Sequence, residues 1–425
     1  MKLSKYNYYH YSEQVSLIYN VLTKSYIVLT QDAMNLLQSS MDNVCVLKKK
    51  HIELYEALLD RGMIVAQDVD ETNICIETLR NRYQNKGVLS ITVNPTLNCN
   101  VKCWYCYETH TESKMSIETI QSIQELIINK VNTENILEIH LGFFGGEPLL
   151  YFEDCVLPLI DFAYNYSNSR NIEFSIGFTT NGILMDKDVV DKLISFRIPI
   201  HIQVPFDGNQ DYHNKVKKSN INSYQTTLFN VKYAISRGIY TVIRCNYTNQ
   251  SVDSFSELIR DLSDEIKLYP DKLNFSFQKI WQVKETNDTV LAVERLQHQV
   301  QSHSGKYYDA ALDTSSCYAD YNNSIVVNYN GDIYQCTARD FTDENKEGVL
   351  SKTGIITYNE RYHHRMKSLY ANETCKQCIV WPICTACSQK RLENHNNQCV
   401  LNLSEGERVS KIKSIVQTII ENHSV

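Results

Sequence analysis

The sequence predicts an α/β fold built on a parallel sheet, with smaller regions before and after it. Two observations carry this reading. Between about Gly87 and Ser304, six apolar runs of strand length recur: VLSITVN, ILEIHLGFF, IEFSIGFTT, IPIHIQVPF, YTVIRCNYT and KLNFSFQKIW. Amphipathic runs of helix length lie between or after them, and strands alternating with helices imply a parallel sheet. Six such units predict a partial (β/α)6 version of the eightfold TIM-like barrel, which places ligands at the C-terminal ends of its strands.

The helices of this region have readable ends. In SIETIQSIQELIINK, Ile117, Ile120, Ile123 and Ile127 are expected on one face, with Ser116 as N-cap. SYQTTLFNVKYAISRG is a second helix, ending at Gly238. Before the sheet, Met1 to about Lys86 reads as a small α+β region. YNYYHY and SLIYNVLTKSYIVL suit strands with a turn at Asn20 to Lys24; DAMNLLQSS and HIELYEALLDRG suit helices, the second stopped by Gly62. A polar stretch, AQDVDETN, leads out. After about Gly305 the chain is cysteine-rich and short on regular pattern. VVNYNGDIYQC reads as a hairpin turning at Asn330-Gly331, and SEGERVSKIKSIVQTIIEN as a last amphipathic helix.

Bulk properties narrow the function. The 425 residues hold 42 basic and 49 acidic side chains, a net charge of -7. That balance gives no support for nucleic-acid binding. There is no apolar run of membrane-spanning length, and the polar N-terminus has no apolar signal core. The expectation is a cytoplasmic protein with neither a membrane nor a nucleic-acid partner. In a reducing compartment, 14 cysteines read as metal ligands rather than disulfides where they cluster. Cys45, Cys75, Cys155 and Cys245 stand alone and suit packing.

The first cluster is CNVKCWYC, with Cys99, Cys103 and Cys106 directly after the first strand. Thiolates are soft ligands that select zinc, copper(I) or iron–sulfur clusters. Structural zinc needs a closed set of four, and no fourth ligand lies nearby in sequence. A four-iron cluster on three thiolates leaves one iron open.

C-x3-C-x2-C with an aromatic, Tyr105, before the last cysteine resembles the radical S-adenosylmethionine (SAM) superfamily. FFGGEP (Gly145 to Pro148), TTNG (Thr180 to Gly182) and FDG (Phe206 to Gly208) follow the next three strands in order and resemble that family's further motifs. The resemblance covers nearly all of the sheet region. It implies a [4Fe-4S] cluster on Cys99, Cys103 and Cys106, with SAM chelating the open iron. Reductive cleavage of SAM then yields a 5′-deoxyadenosyl radical that abstracts a substrate hydrogen. The glycines suit close backbone approach to a ligand. The SAM contacts implied are Tyr105, Gly145, Gly146, Glu147, Thr180 and Asn181. Two positions depart from the family. Pro205 stands where relatives carry a serine. Lys217 stands where they carry an arginine, keeping the charge but losing the bidentate fork. SAM-carboxylate recognition is therefore expected to be rearranged toward Arg244 on the fifth strand, with Lys217 kept among the implied SAM contacts; a structural ion pair at Arg244 is the competing reading.

The second cluster runs Cys317, Cys336, Cys375, Cys378, Cys384, Cys387 and Cys399. It is similar to the SPASM domain, an iron–sulfur extension that follows many radical SAM barrels, although the last pair is spaced by two residues instead of three. The resemblance implies one auxiliary cluster on Cys375, Cys378, Cys384 and Cys399. It implies a second on Cys317, Cys336 and Cys387, which would have an open iron. That gives three [4Fe-4S] clusters with SAM. Paired zinc ribbons are the alternative for CxxC-x5-CxxC. The N-terminal region resembles the winged-helix-like recognition domains of enzymes that modify ribosomally made peptides; a structural cap is the other reading.

The expected organisation is thus a peptide-recognition-like domain (1–86), a radical SAM partial barrel (87–304), a SPASM domain (305–405) and a C-terminal helix (406–425). The expected function is a radical SAM peptide maturase. It would install a thioether first, or a carbon–carbon cross-link second, in a precursor peptide, with a reductant such as flavodoxin or ferredoxin. The sequence assigns no catalytic base. The competing readings are a sulfatase-maturase-like formylglycine-generating enzyme and a non-catalytic iron–sulfur or zinc-binding protein.

Overall fold

The computed structural model describes residues 1–12, 15–84, 87–219, 221–308, 315–394 and 398–423. The expected boundary at Lys86 lies outside them. The chain forms two compact units that do not follow chain order. One comprises Asn85–Asp313 and Asn322–His363; the other comprises Met1–Gln84, Thr314–Tyr321 and His364–Val425.

The first unit is organised by one sheet. Its strands are β1 (Val88–Val93), β2 (Glu138–Phe143), β3 (Glu173–Thr179), β4 (Ile200–Phe206), β5 (Tyr240–Tyr247), β6 (Leu273–Lys279), β7 (Lys306–Tyr307), β8 (Ser324–Val327), β9 (Asp332–Tyr334), β10 (Gly348–Leu350) and β11 (Ile356–Tyr358). Their order is β7-β6-β5-β4-β3-β2-β1-β8-β9-β10-β11. Every pair from β7 to β8 is parallel, and the last three pairs are antiparallel. All six expected strands are present. Alternate residues of β1 and β2 (Leu89, Ile91, Val93 and Ile139, Leu141, Phe143) enter one apolar core, as half-buried strands do. The hairpin at Asn330-Gly331 forms, with Gly331 at φ +83°. Its first strand, β8, extends the parallel sheet beside β1, and β10 and β11 add two strands that the sequence did not predict. They are three residues each, too short for alternation to register.

Helices cover the sheet. The first spans Ile117–Thr133, and the Ser116 Oγ accepts from the Thr119 N–H at 3.1 Å. One detail of its expected face is corrected. Ile117 is 70 % exposed, and Leu126 joins Ile120, Ile123 and Ile127 in the core instead. Ile117 sits in the first turn, beyond the part of the helix that lies over the core. The second helix spans Ser223–Ser236 and turns out through Gly238 at φ +87°.

The second unit joins the two ends of the chain. Asn7–His10, Ser16–Asn20 and Ser25–Leu29 form an antiparallel three-stranded sheet. Helices Gln31–Gln38, Val44–Lys50, Ile52–Asp60 and Glu71–Tyr83 follow. The last of these begins inside the stretch read as a polar lead-out. Asp70 caps it, and Cys75, Leu79 and Tyr83 repeat every fourth residue on its buried face. Its many charges masked that stripe.

Tyr6, Leu17, Tyr19, Leu79 and Tyr83 share a core with Trp381 and Ile383, which lie between Cys378 and Cys384, and with Ile412 and Val416 of the last helix, Glu405–His423. Trp381 is 2 % exposed. Trp381→Ala is therefore expected to cost about 3–5 kcal/mol. Amide exchange should rise at Leu17–Tyr19 as well as around residue 381. Faster exchange confined to residues 378–384 would contradict a shared core.

Candidate functional site

The cysteine loop leaves β1 and is held from three sides by loops that leave β2, β3 and β4. The GGE loop comes first. The Gly146 N–H donates to the Thr96 carbonyl at 3.2 Å, and the Glu147 N–H to the Asn98 carbonyl at 2.9 Å. A Cβ on Gly145 would meet the Thr96 oxygen at 2.4 Å, and one on Gly146 the Asn98 oxygen at 2.2 Å. Gly145 also has φ +99°, a conformation side chains resist. Glycine is required here because the two loops lie backbone against backbone. The close backbone approach that these glycines allow is made here to the cysteine loop.

Glu147 is fully buried and acts as a tie. Its Oε1 accepts from the Thr180 hydroxyl at 2.7 Å and from the Leu149 N–H at 3.1 Å; its Oε2 accepts from the Asn181 N–H at 2.8 Å. Burial raises its pKa, and these three donors pull it back. The loop after β3 then reaches the cysteines. The Asn181 amide donates to the Asn100 side-chain oxygen at 2.7 Å and lies 3.9 Å from the Cys99 sulfur.

Beneath the loop lies a buried polar chain. The Lys217 ammonium, 2 % exposed, is 3.3 Å from the Asp207 carboxylate. The other Asp207 oxygen accepts from the Tyr105 hydroxyl, which in turn accepts from the Asn246 amide at 3.0 Å. Asn246 accepts from the Arg244 Nε at 3.0 Å. Burial works against the Lys217 charge, but Asp207, followed by Cys103 and Tyr105, raises its pKa well above the usual value. The Lys217 carbonyl also accepts from the Lys102 N–H at 3.2 Å. His213, 3.7 Å from Asp207, is wholly buried, and burial with the Lys217 charge keeps its imidazole neutral. Asp207, Asn246 and His213 were not foreseen as members of the site. Asp207 had a signal in FDG and His213 as the histidine four residues before Lys217; Asn246 had none.

Thus Cys99, Cys103, Cys106, Tyr105, Gly145, Gly146, Glu147, Thr180, Asn181, Lys217 and Arg244 all lie in one unit and, through these bonds, around one loop. Burial pushes the Cys99 thiol up to about 12. A coordinated metal reverses that cost, because coordination deprotonates a thiol. Three soft sulfur donors on one braced loop fit an iron–sulfur cluster. Beyond Cys106, the Tyr107 hydroxyl donates to the Thr337 carbonyl at 2.5 Å, and the Thr109 N–H to Asp340 at 2.8 Å. Cys336 precedes Thr337 and belongs to this unit.

The other unit holds Cys317, Cys375, Cys378, Cys384, Cys387 and Cys399. Cys375, Cys378, Cys384 and Cys399 line one pocket. Cys317 and Cys387 hydrogen-bond to each other. Cys336, expected to join those two, lies in the first unit. Among the described residues, no three His, Cys, Asp or Glu side chains converge on a point as ligands of one metal ion do. A multi-iron cluster spreads its thiolates, one to each iron.

With this geometry in view, residues 93–262 match the family described as the Radical SAM superfamily. The chain is an enzyme that carries a radical SAM domain over those residues. The structure of Streptococcus suis SuiB bound to S-adenosylmethionine is 16 % identical, covering 95 % of this chain and 100 % of SuiB, with a TM-score of 0.52. Native anSMEcpe with bound AdoMet and the Cp18Cys peptide is 18 % identical, covering 79 % and 99 %, with a TM-score of 0.57. At these identities the likeness shows the fold, an α/β architecture with a large parallel sheet. Among relatives by sequence, the radical SAM cyclopropyl synthase TigE of Paramaledivibacter caminithermalis is 21 % identical over 48 % of this chain and 47 % of its own length. The uncharacterized protein MJ0907 of Methanocaldococcus jannaschii is 26 % identical over 59 % and 85 %. Among the described residues, no helix is long and apolar enough to cross a membrane.

Proposed function

We propose that this enzyme modifies a ribosomally made precursor peptide, installing a cross-link, with a thioether as first choice and a carbon–carbon bond as second. The carrying observation is the convergence of the GGE, TTN and FDG loops on CNVKCWYC. When bound there, a [4Fe-4S] cluster and SAM supply reductive cleavage and a 5′-deoxyadenosyl radical. The chain's own part is to hold and shield. Cys99, Cys103 and Cys106 are the cluster ligands. Asn181, beside Cys99, and the backbone of Gly145 and Gly146 frame the SAM side. Arg244 is the better carboxylate partner, since Lys217 is buried against Asp207.

The peptide reading rests on likeness. SuiB has been solved with its precursor peptide SuiA, and anSMEcpe with a peptide. The proposal extends to a (β/α)6 partial barrel, a winged-helix-like N-terminal sheet that adds the leader as a strand, and a flavodoxin- or ferredoxin-type reductant. Cys375, Cys378, Cys384 and Cys399 hold an auxiliary cluster. The second auxiliary cluster, on Cys317, Cys336 and Cys387, is carried by sequence pattern. The formylglycine alternative resembles enzymes with an aspartate base directly after the cysteine at position 336, where this chain has Thr337, with Asp340 three residues further on. Both of its carboxylate oxygens accept from Thr109, at 2.8 and 2.5 Å, so it is tied to the loop rather than free as a base.

The test is anaerobic incubation of the iron-loaded enzyme with SAM, a reductant and a synthetic cysteine-containing precursor peptide chosen from a short reading frame neighbouring its gene. The expected product has lost two hydrogens and resists thiol alkylation at one cysteine. Formylglycine in the product, or SAM cleavage with an unchanged peptide, would overturn the reading.

A further inference from the structure

The pocket lined by Cys375, Cys378, Cys384 and Cys399 holds two guanidinium groups that no sequence motif marked. Arg391 is 7 % exposed, on the short helix Ser388–Glu393. Its Nη1 donates to the Cys375 sulfur at 2.9 Å, its Nη2 lies 3.6 Å from the Cys384 sulfur, and its Nε donates to the Ala386 carbonyl at 3.0 Å. Arg408, on the last helix, places its Nη1 3.8 Å from the Cys378 sulfur, and its Nε is buried without a partner. Glu407 and Lys411 also line the pocket. The Glu407 carboxylate is turned to Ser404, accepting from its N–H at 2.8 Å and its hydroxyl at 2.6 Å. Three of the four cysteines therefore meet a guanidinium, and the one carboxylate of the pocket is occupied elsewhere.

We infer that Arg391 and Arg408 are positioning residues that raise the reduction potential of the auxiliary cluster. This rests on the assignment of those four cysteines to such a cluster. Four thiolates give a cluster net negative charge, and reduction adds one more. Charge-assisted N–H···S bonds favour the more negative state, and hydrogen bonds to sulfur together with net charge set these potentials. Arginine suits the task because its charge persists and its planar fork reaches two sulfurs at once. A higher potential also suits cross-linking. The peptide gives up one hydrogen atom to the deoxyadenosyl radical, then a proton and an electron as the new bond closes. A more oxidising auxiliary cluster is the better acceptor for that electron.

The test is a redox titration followed by low-temperature electron paramagnetic resonance. It uses the full chain carrying Cys99→Ala, Cys103→Ala and Cys106→Ala, so that the SAM cluster does not contribute. Arg391→Gln and Arg408→Gln are each expected to lower the reduced-to-oxidised ratio at fixed potential about tenfold, equivalent to 59 mV for one electron. Arg391→Lys, which keeps the charge without the fork, should fall between. If Arg391→Gln fails to load iron, Arg391→Lys and Arg408→Gln carry the comparison. Cluster signals with unchanged midpoints in the loaded variants would overturn the inference. Absence of iron and of any cluster signal in the parent would overturn the auxiliary-cluster assignment instead.

Discussion

Lys217→Met is expected to destabilise the enzyme by about 3–5 kcal/mol and to unsettle the cysteine loop. Removing one partner of a buried pair strands the other charge, and that is the costly way to break an ion pair. Here Asp207 is 2 % exposed, and among the described residues its other neighbours are the Tyr105 hydroxyl and, at 3.7 Å, the neutral His213, so no second cation balances it. The variant should show a lower thermal midpoint and less iron after reconstitution. Adding Asp207→Asn should recover part of the loss, because the stranded charge is gone. The sequence alone placed Lys217 among the SAM contacts, with carboxylate recognition shifted toward Arg244. On that assignment Lys217→Met would keep its stability and lose only SAM affinity, and that result would sink the structural role argued here.

Alanine at Gly146 is the second large effect. Its Cβ would sit 2.2 Å from the Asn98 oxygen and 2.5 Å from the Leu97 oxygen, both backbone atoms that cannot swing aside. Overpacking commonly costs about 1–3 kcal/mol and sometimes more. The displaced segment is the one that leads into Cys99, so the loss should fall on the SAM cluster. Iron bound by the variant should drop by roughly one four-iron cluster, while the signals of the other unit persist. Full iron loading with weakened SAM binding alone would instead favour the reading in which the glycine serves ligand approach.

Much of this was legible in the sequence because the relevant signals are local. Six apolar runs of strand length gave six parallel strands, and Ser116 and Gly238 marked helix ends where capping chemistry requires them. Motif order placed the GGE, TTN and FDG loops at one end of the sheet. What escaped was non-local. That β8 would pair beside β1 depends on a contact spanning more than two hundred residues. The core shared by Tyr19 and Trp381 joins the two ends of the chain. The partners of Lys217 and Glu147 are fixed by the fold, and each motif residue read as a ligand contact has a second reading as a brace between loops. Arg391 and Arg408 had no pattern at all, since a single arginine on a helix is ordinary until its neighbours are known.

The central claim is that Cys99, Cys103 and Cys106 hold a SAM-cleaving cluster in a cradle built by three neighbouring loops. The direct measurement is 5′-deoxyadenosine formed from SAM by anaerobically iron-loaded enzyme under reduction, compared with the Cys99→Ala, Cys103→Ala, Cys106→Ala variant. Turnover is expected in the parent, none in the variant, with a difference in bound iron of roughly one four-iron cluster. Zinc in place of iron with no SAM cleavage, or equal cleavage by the two proteins, would contradict it.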